Sequence, residues 1–131
     1  MKVVLDTNVL VAGFGTRGLC EDVVRVCLSN HQLFISHAIL TEVDTHLRGK
    51  FKLPAVRVRE ILSLVRKLGQ IVEPLDVPPD ACRDRDDLVT LGTAIAASAE
   101  CLITGDKDLL TLGAYQRIPI LDPRAFYDLI K

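Results

Sequence analysis

MKVVLDTNVLVAGF, residues 1–14, is the stretch whose reading decides the fold. Lys2–Leu5 is a short β-branched run with polar residues directly behind it, the pattern of a buried strand. A secretory leader would need an unbroken apolar stretch and a small-residue cleavage site. Here Asp6 and Asn8 interrupt the apolar residues and no such site follows cleanly. The expected location is therefore the cytoplasm. No apolar run in the chain approaches the roughly 20 residues that span a bilayer, so no membrane partner is expected.

Outward from that strand, short apolar runs alternate with helical patterns. LFIS (33–36), IVEPL (71–75), CLIT (101–104) and IPIL (118–121) read as further strands. Residues 19–29 repeat apolar positions at helical spacing. Ser36 is a good cap for a helix from His37 to about Arg48, with Leu40, Val43 and Leu47 on one face. Pro54 opens a helix that Gly69 closes. Further helices are expected over about Leu88–Ala99, near Asp108–Leu112, and from Pro123 to the end. Thr7 and Asn8 read as turn residues. Strand–helix alternation argues for an α/β fold with a central parallel sheet covered on both faces, because each crossover helix returns the chain to the same end.

The 131 residues suit one domain, 1–131, large enough to bury a core without disulfide or metal staples. The four cysteines form no CxxC pair and the three histidines complete no zinc pattern, so the thiols read as reduced packing residues. A net charge of −1 argues against a general nucleic-acid coat protein. The charge is unevenly spread, however: Arg48–Lys67 carries seven bases and one acid, a net +6, which leaves the remainder at −7. Such asymmetry points to an anionic partner, or else to a solvated helix face.

The acids carry the chemical argument. Ligands in open parallel sheets bind beyond the carboxyl ends of the strands. Asp6 directly follows KVVL, and Asp106 closely follows CLIT, with Asp108 two residues on. Glu42 lies in the helix after the second strand, and Asp84, Asp86 and Asp87 lead into the helix before CLIT. Carboxylates gathered at one place repel one another and lose hydration, which a hard divalent ion such as Mg²⁺ or Mn²⁺ relieves. Such an ion can activate water and stabilise a phosphodiester leaving group.

These residues resemble a PIN domain across essentially the whole chain. The resemblance rests on VVLDTNVLVAGF (3–14), SHAILTEV (36–43), CRDRDDLVTLGTAIAASAECLITGDKDLL (82–110) and IPILDPRAFYDLI (118–130), in that order and spacing. It is closest to the toxin components of toxin–antitoxin pairs, the VapC-type ribonucleases. It implies a three-layer α/β/α sandwich, Mg²⁺- or Mn²⁺-dependent cleavage of RNA, homodimers, and inhibition by an antitoxin protein. It places the four family acids on Asp6, Glu42, Asp87 and Asp106, with Asp108 accessory and Asn8 and Thr104 supporting. Within RDRDD, Asp87 is the nearest match although its interval to Asp106 is one residue longer than the familiar spacing, which leaves Asp84 and Asp86 open.

Other readings fit less well. A Toprim domain needs glutamate after the first strand, where Asp6 stands, and a phosphate-accepting receiver domain would leave Glu42 idle. The alternative function is a non-catalytic PIN-fold module that binds RNA or protein. Degeneration of that kind removes acids, and all four are present.

Overall fold

The computed structural model describes residues 1–131. Lys2–Leu5 forms the first strand (β1), followed in chain order by Gln32–Ile35 (β2), Gln70–Ile71 (β3), Cys101–Ile103 (β4), Ala114–Tyr115 (β5) and Ile118–Leu121 (β6). They make one sheet in the order β3-β2-β1-β4-β6-β5. β1 is central and pairs in parallel with both β2 and β4, with Val4 opposite Phe34 on one side and Leu102 on the other.

Alternation along the central strands builds two cores. Val3, Leu5, Leu33, Ile35, Cys101 and Ile103 face one side of the sheet, while Val4, Phe34 and Leu102 face the other. Because both faces are buried, these strands read as continuous apolar runs. The larger core packs under Thr7–Gly15 (α1), Leu19–Asn30 (α2), His37–Gly49 (α3), Ala55–Leu68 (α4) and Pro123–Ile130 (α7). The smaller one packs under Arg85–Ala96 (α5) and Lys107–Leu112 (α6). The result is the expected three-layer α/β/α sandwich. Fully buried side chains such as Leu47 and Phe126 each contribute about 1.5–3 kcal/mol by leaving water. All four cysteines are free; burial pushes the Cys27 thiol up to about 12 and the Cys101 thiol up to about 11. No helix is long and apolar enough to cross a membrane.

Four local expectations need correction. Thr7 and Asn8 do not form a turn but start α1, which is buried between neighbours: a Cβ on Gly13 would come within 2.4 Å of Val24 on α2. The strand expected over 71–75 is only Gln70–Ile71. Beyond it the chain crosses α5 so closely that a Cβ on Gly92 would meet the Leu75 carbonyl at 2.2 Å, and the Leu75 N–H donates to Gly92 O instead of to a strand. The sheet is not wholly parallel, since β5 and β6 form an antiparallel hairpin whose turn residues Gln116 and Arg117 both have positive φ. Finally, α5 starts at Arg85, not Leu88, with Asp84 as its cap, and ends at Ala96.

Candidate metal centre

The strand order reverses at β1: its chain successor β2 lies on one side and β4 on the other. The crevice beyond the carboxyl ends of β1 and β4 is thus the switch point of the sheet. The Asp6 N–H donates to Ile103 O at 3.1 Å, which fixes the two strand ends against each other.

Asp6 is only 5% exposed, and each of its oxygens has a protein partner. Oδ1 accepts from the Val9 N–H at 3.0 Å, which caps α1, and Oδ2 accepts from the buried Thr104 hydroxyl. Burial raises the Asp6 pKa above the usual carboxylate range and the charge of Asp106 adds to this, while the hydrogen bonds from Thr104 and Val9 oppose it. Thr104 Oγ1 also accepts from the Asp106 N–H at 3.0 Å, so a single hydroxyl ties the acid after β1 to the acid after β4. Asp106 caps α6 by accepting from the Asp108 N–H at 2.8 Å.

Asp87 is 6% exposed, and its Oδ2 is the one buried side-chain oxygen or nitrogen without a hydrogen-bond partner. Its pKa is pushed up to about 7, first by burial and then by the charges of Asp106 and Asp84. Carboxylate oxygens of Asp87, Asp106 and Asp108 lie within 4.8 Å of one another, close enough to share a cation. A buried orphan oxygen among three hard oxygen donors fits a divalent ion such as Mg²⁺ or Mn²⁺.

Glu42 lies outside that tight group, as does Asp6. It projects from α3 into an adjoining cavity of about 200 Å³ lined only by Thr7, Asn8, Glu42, His46, Asp84, Asp86 and Thr90. The Thr7 hydroxyl donates to Glu42 Oε1 at 3.3 Å. Burial raises the Glu42 pKa, and Asp86 is its strongest charged opponent. His46, one turn along α3, lines the same cavity.

The three neighbouring acids of RDRDD therefore have separate places. Asp84 caps α5 through the Asp86 N–H at 2.9 Å, Asp86 faces Glu42, and Asp87 faces Asp106. Residues on a helix separated by one position point apart, so a single turn can serve both sides of the mouth. The sequence singles out Asn8 and Thr104: Asn8 lines the Glu42 cavity and Thr104 binds Asp6. It gives no site signal for Thr7 and Thr90, which line the same cavity but lie within apolar helical runs. No base of Arg48–Lys67 lines the acidic cavity; Arg57, Arg59 and Lys67 line clefts with apolar residues of α4, and Arg48 pairs with Asp44.

Comparison with curated protein sequences gives no match. Among solved structures, the fold is similar to a chain of VapBC2 from Rickettsia felis bound to a DNA fragment from their promoter. The TM-score is 0.65 at 15% identity, over 93% of this chain and 98% of that one. A likeness at that identity concerns the fold. The sequence itself matches the PIN domain family model over residues 2–108, which takes in both strand-end acids, Glu42 and the RDRDD turn, and the chain belongs to the PIN domain family.

Proposed function

We propose that this chain is a metal-dependent endoribonuclease that hydrolyses RNA phosphodiester bonds, acting as the toxin of a toxin–antitoxin pair. The observation that carries the reading is Asp87: a nearly buried carboxylate with an unpartnered oxygen, set against Asp106 and Asp108. Leaving such an oxygen without a partner costs free energy that a cation would recover. PIN membership supports nuclease chemistry and RNA as substrate. The fold likeness to VapBC2 supports an antitoxin as partner, and a homodimer is the expected assembly.

Asp87, Asp106 and Asp108 would hold Mg²⁺ or Mn²⁺, with Asp6 and Glu42 completing the acidic mouth. Such an ion supplies a water of lowered pKa and neutralises charge on the phosphate. The remaining tasks belong to the chain. Val9 and Thr104 hold the Asp6 carboxylate in one orientation. Thr7 steadies Glu42 at the edge of the neighbouring cavity, where the exposed Asn8 offers a polar contact to a ribose or phosphate. Burial and the charges of Asp106 and Asp84 push the Asp87 pKa up to about 7 in the metal-free site, so this carboxyl holds its proton far more readily than an exposed one, which limits repulsion among the acids.

The decisive experiment incubates purified protein with RNA and Mn²⁺, sequences the new RNA ends, and uses Asp6→Asn as control. Cuts at reproducible positions, absent with chelator and with the control, support the reading. Equal cutting by wild type and Asp6→Asn would mean a contaminant, and the nuclease proposal would fall.

A further inference from the structure

The protein has five ion pairs, and four of them join residues three or four apart. The fifth connects distant segments: Arg83 Nη2, in the loop before α5, lies 3.6 Å from Asp108 Oδ1, on α6. Asp108 is one of the three acids grouped closely enough for a cation. The Arg83 side chain is 90% exposed and that of Asp108 48%. A pair so open to water holds weakly and separates at little cost. Arg83 thus stands at the rim of the acidic mouth with its guanidinium fork directed largely to solvent.

A mouth lined by acids repels the phosphates it must admit, and a nearby cation offsets that repulsion. The strongly basic segment Arg48–Lys67 sends no side chain into the acidic cavity. Arg85, the first residue of α5, lines a separate cleft with Pro74, Leu75, Val77 and Leu88. Arg83 is the base that an ion pair places on the rim. We propose that Arg83 is a phosphate-binding residue of this site: it rests against Asp108 in the free protein and is free to grip a backbone phosphate of the RNA where Asp108 would serve as a metal ligand instead. Arginine suits the task because its planar fork meets a phosphate through two parallel hydrogen bonds, which lysine cannot reproduce. The inference rests on the nuclease reading and adds a substrate contact to it.

The test measures anisotropy of a short, unstructured, fluorescein-labelled RNA in Ca²⁺ over a range of salt. Wild type, Arg83→Gln and Arg83→Lys are compared, with Mn²⁺ calorimetry, thermal unfolding and RNA cleavage in parallel. Arg83→Gln should weaken RNA binding about tenfold and lower the slope of log K against log salt by about 0.7. Its Mn²⁺ affinity should be equal or higher, because Asp108 loses a competitor, and its Tm should be unchanged. Arg83→Lys should keep the wild-type slope and recover only part of the affinity. Wild-type affinity and slope in Arg83→Gln would overturn the proposal, as would a loss of Mn²⁺ affinity together with Tm, which would make Arg83 a structural latch. The binding readout stands apart from cleavage: wild type that binds RNA but neither holds Mn²⁺ nor cuts defeats the nuclease reading, while the salt slope still answers for Arg83. Absence of RNA binding in wild type overturns both.

Discussion

The two ends of the sheet treat charge in opposite ways. At the amino ends of β1 and β2 lies a cavity of about 740 Å³ between Met1, Ser29, His31, Ser98 and Glu100. There the Met1 amine meets His31 Nδ1 at 3.1 Å, and Glu100 accepts from the Lys2 backbone N–H at 2.6 Å. At the carboxyl ends the cavity is far smaller, about 200 Å³, yet Glu42, Asp84 and Asp86 line it, and Asp87, outside that lining, keeps a buried oxygen without a partner. The lesson is that unmet electrostatic need, and not the volume of a hollow, distinguishes the end where chemistry belongs.

The largest effect that would break this contrast is on cleavage. Asp106→Asn and Asp6→Asn should each lower metal-dependent RNA cleavage by about a thousandfold or more, since each removes a charge from the proposed ion's surroundings. A fluorogenic RNA assay that finds either variant within tenfold of wild type would place the chemistry elsewhere. Next comes metal binding. Mn²⁺ at about one hundred times its Kd should raise the unfolding free energy by about 2.7 kcal/mol. Chelation should reverse the gain, and Asp87→Asn combined with Asp106→Asn should abolish it in urea denaturation.

A smaller effect concerns pH. The native Asp87 pKa is raised from 3.8 to about 7, so the folded protein holds more protons than the unfolded chain between those values. Stability without metal should therefore fall as pH rises through that window. Asp87→Asn should flatten the fall and leave the metal-free protein more stable at pH 8 by about 1 kcal/mol, because water at the mouth screens much of the full shift. A pH profile identical to wild type would mean that the acids do not strain one another. The smallest effect belongs to the other end: Glu100→Gln should change stability by less than about 0.5 kcal/mol and leave cleavage as it was. A large loss of activity there would dissolve the contrast between the ends.

Much of this architecture could be read from the chain because the central strands are short and apolar, and two of them, β1 and β4, lead into the acids Asp6 and Asp106. Ser36 caps α3 as its type predicts, accepting from the Ile39 N–H. What escaped has a common cause, which is packing that overrides local pattern. α1 shows no amphipathic period because both of its sides are covered, so TNVLVAGFG looks like turn and strand; the usable signal was Asp6 three residues before Val9, in capping position. IVEPL has the residues of a strand, but Pro74 and the crossing at Gly92 take its backbone away from the sheet. The β5–β6 turn uses Gln116 and Arg117 at positive φ, where sequence rules look for Asn or Gly. Within the site, the acids after β1 and β4 follow from strand-end logic. The division of labour among Asp84, Asp86 and Asp87 does not, because it depends on where α5 begins.

Three acids at this mouth also stand just before helices as their caps: Asp6 for α1, Asp84 for α5 and Asp106 for α6. Their carboxylates therefore belong to two ledgers at once, one chemical and one architectural. Asparagine can still accept the capping hydrogen bond, whereas alanine cannot and frays the first turn. An alanine scan of this chain would confuse a disabled site with a loosened frame. For the same reason, a descendant that abandoned catalysis would be expected to drift toward Asn, Ser or Thr at these positions and keep its shape.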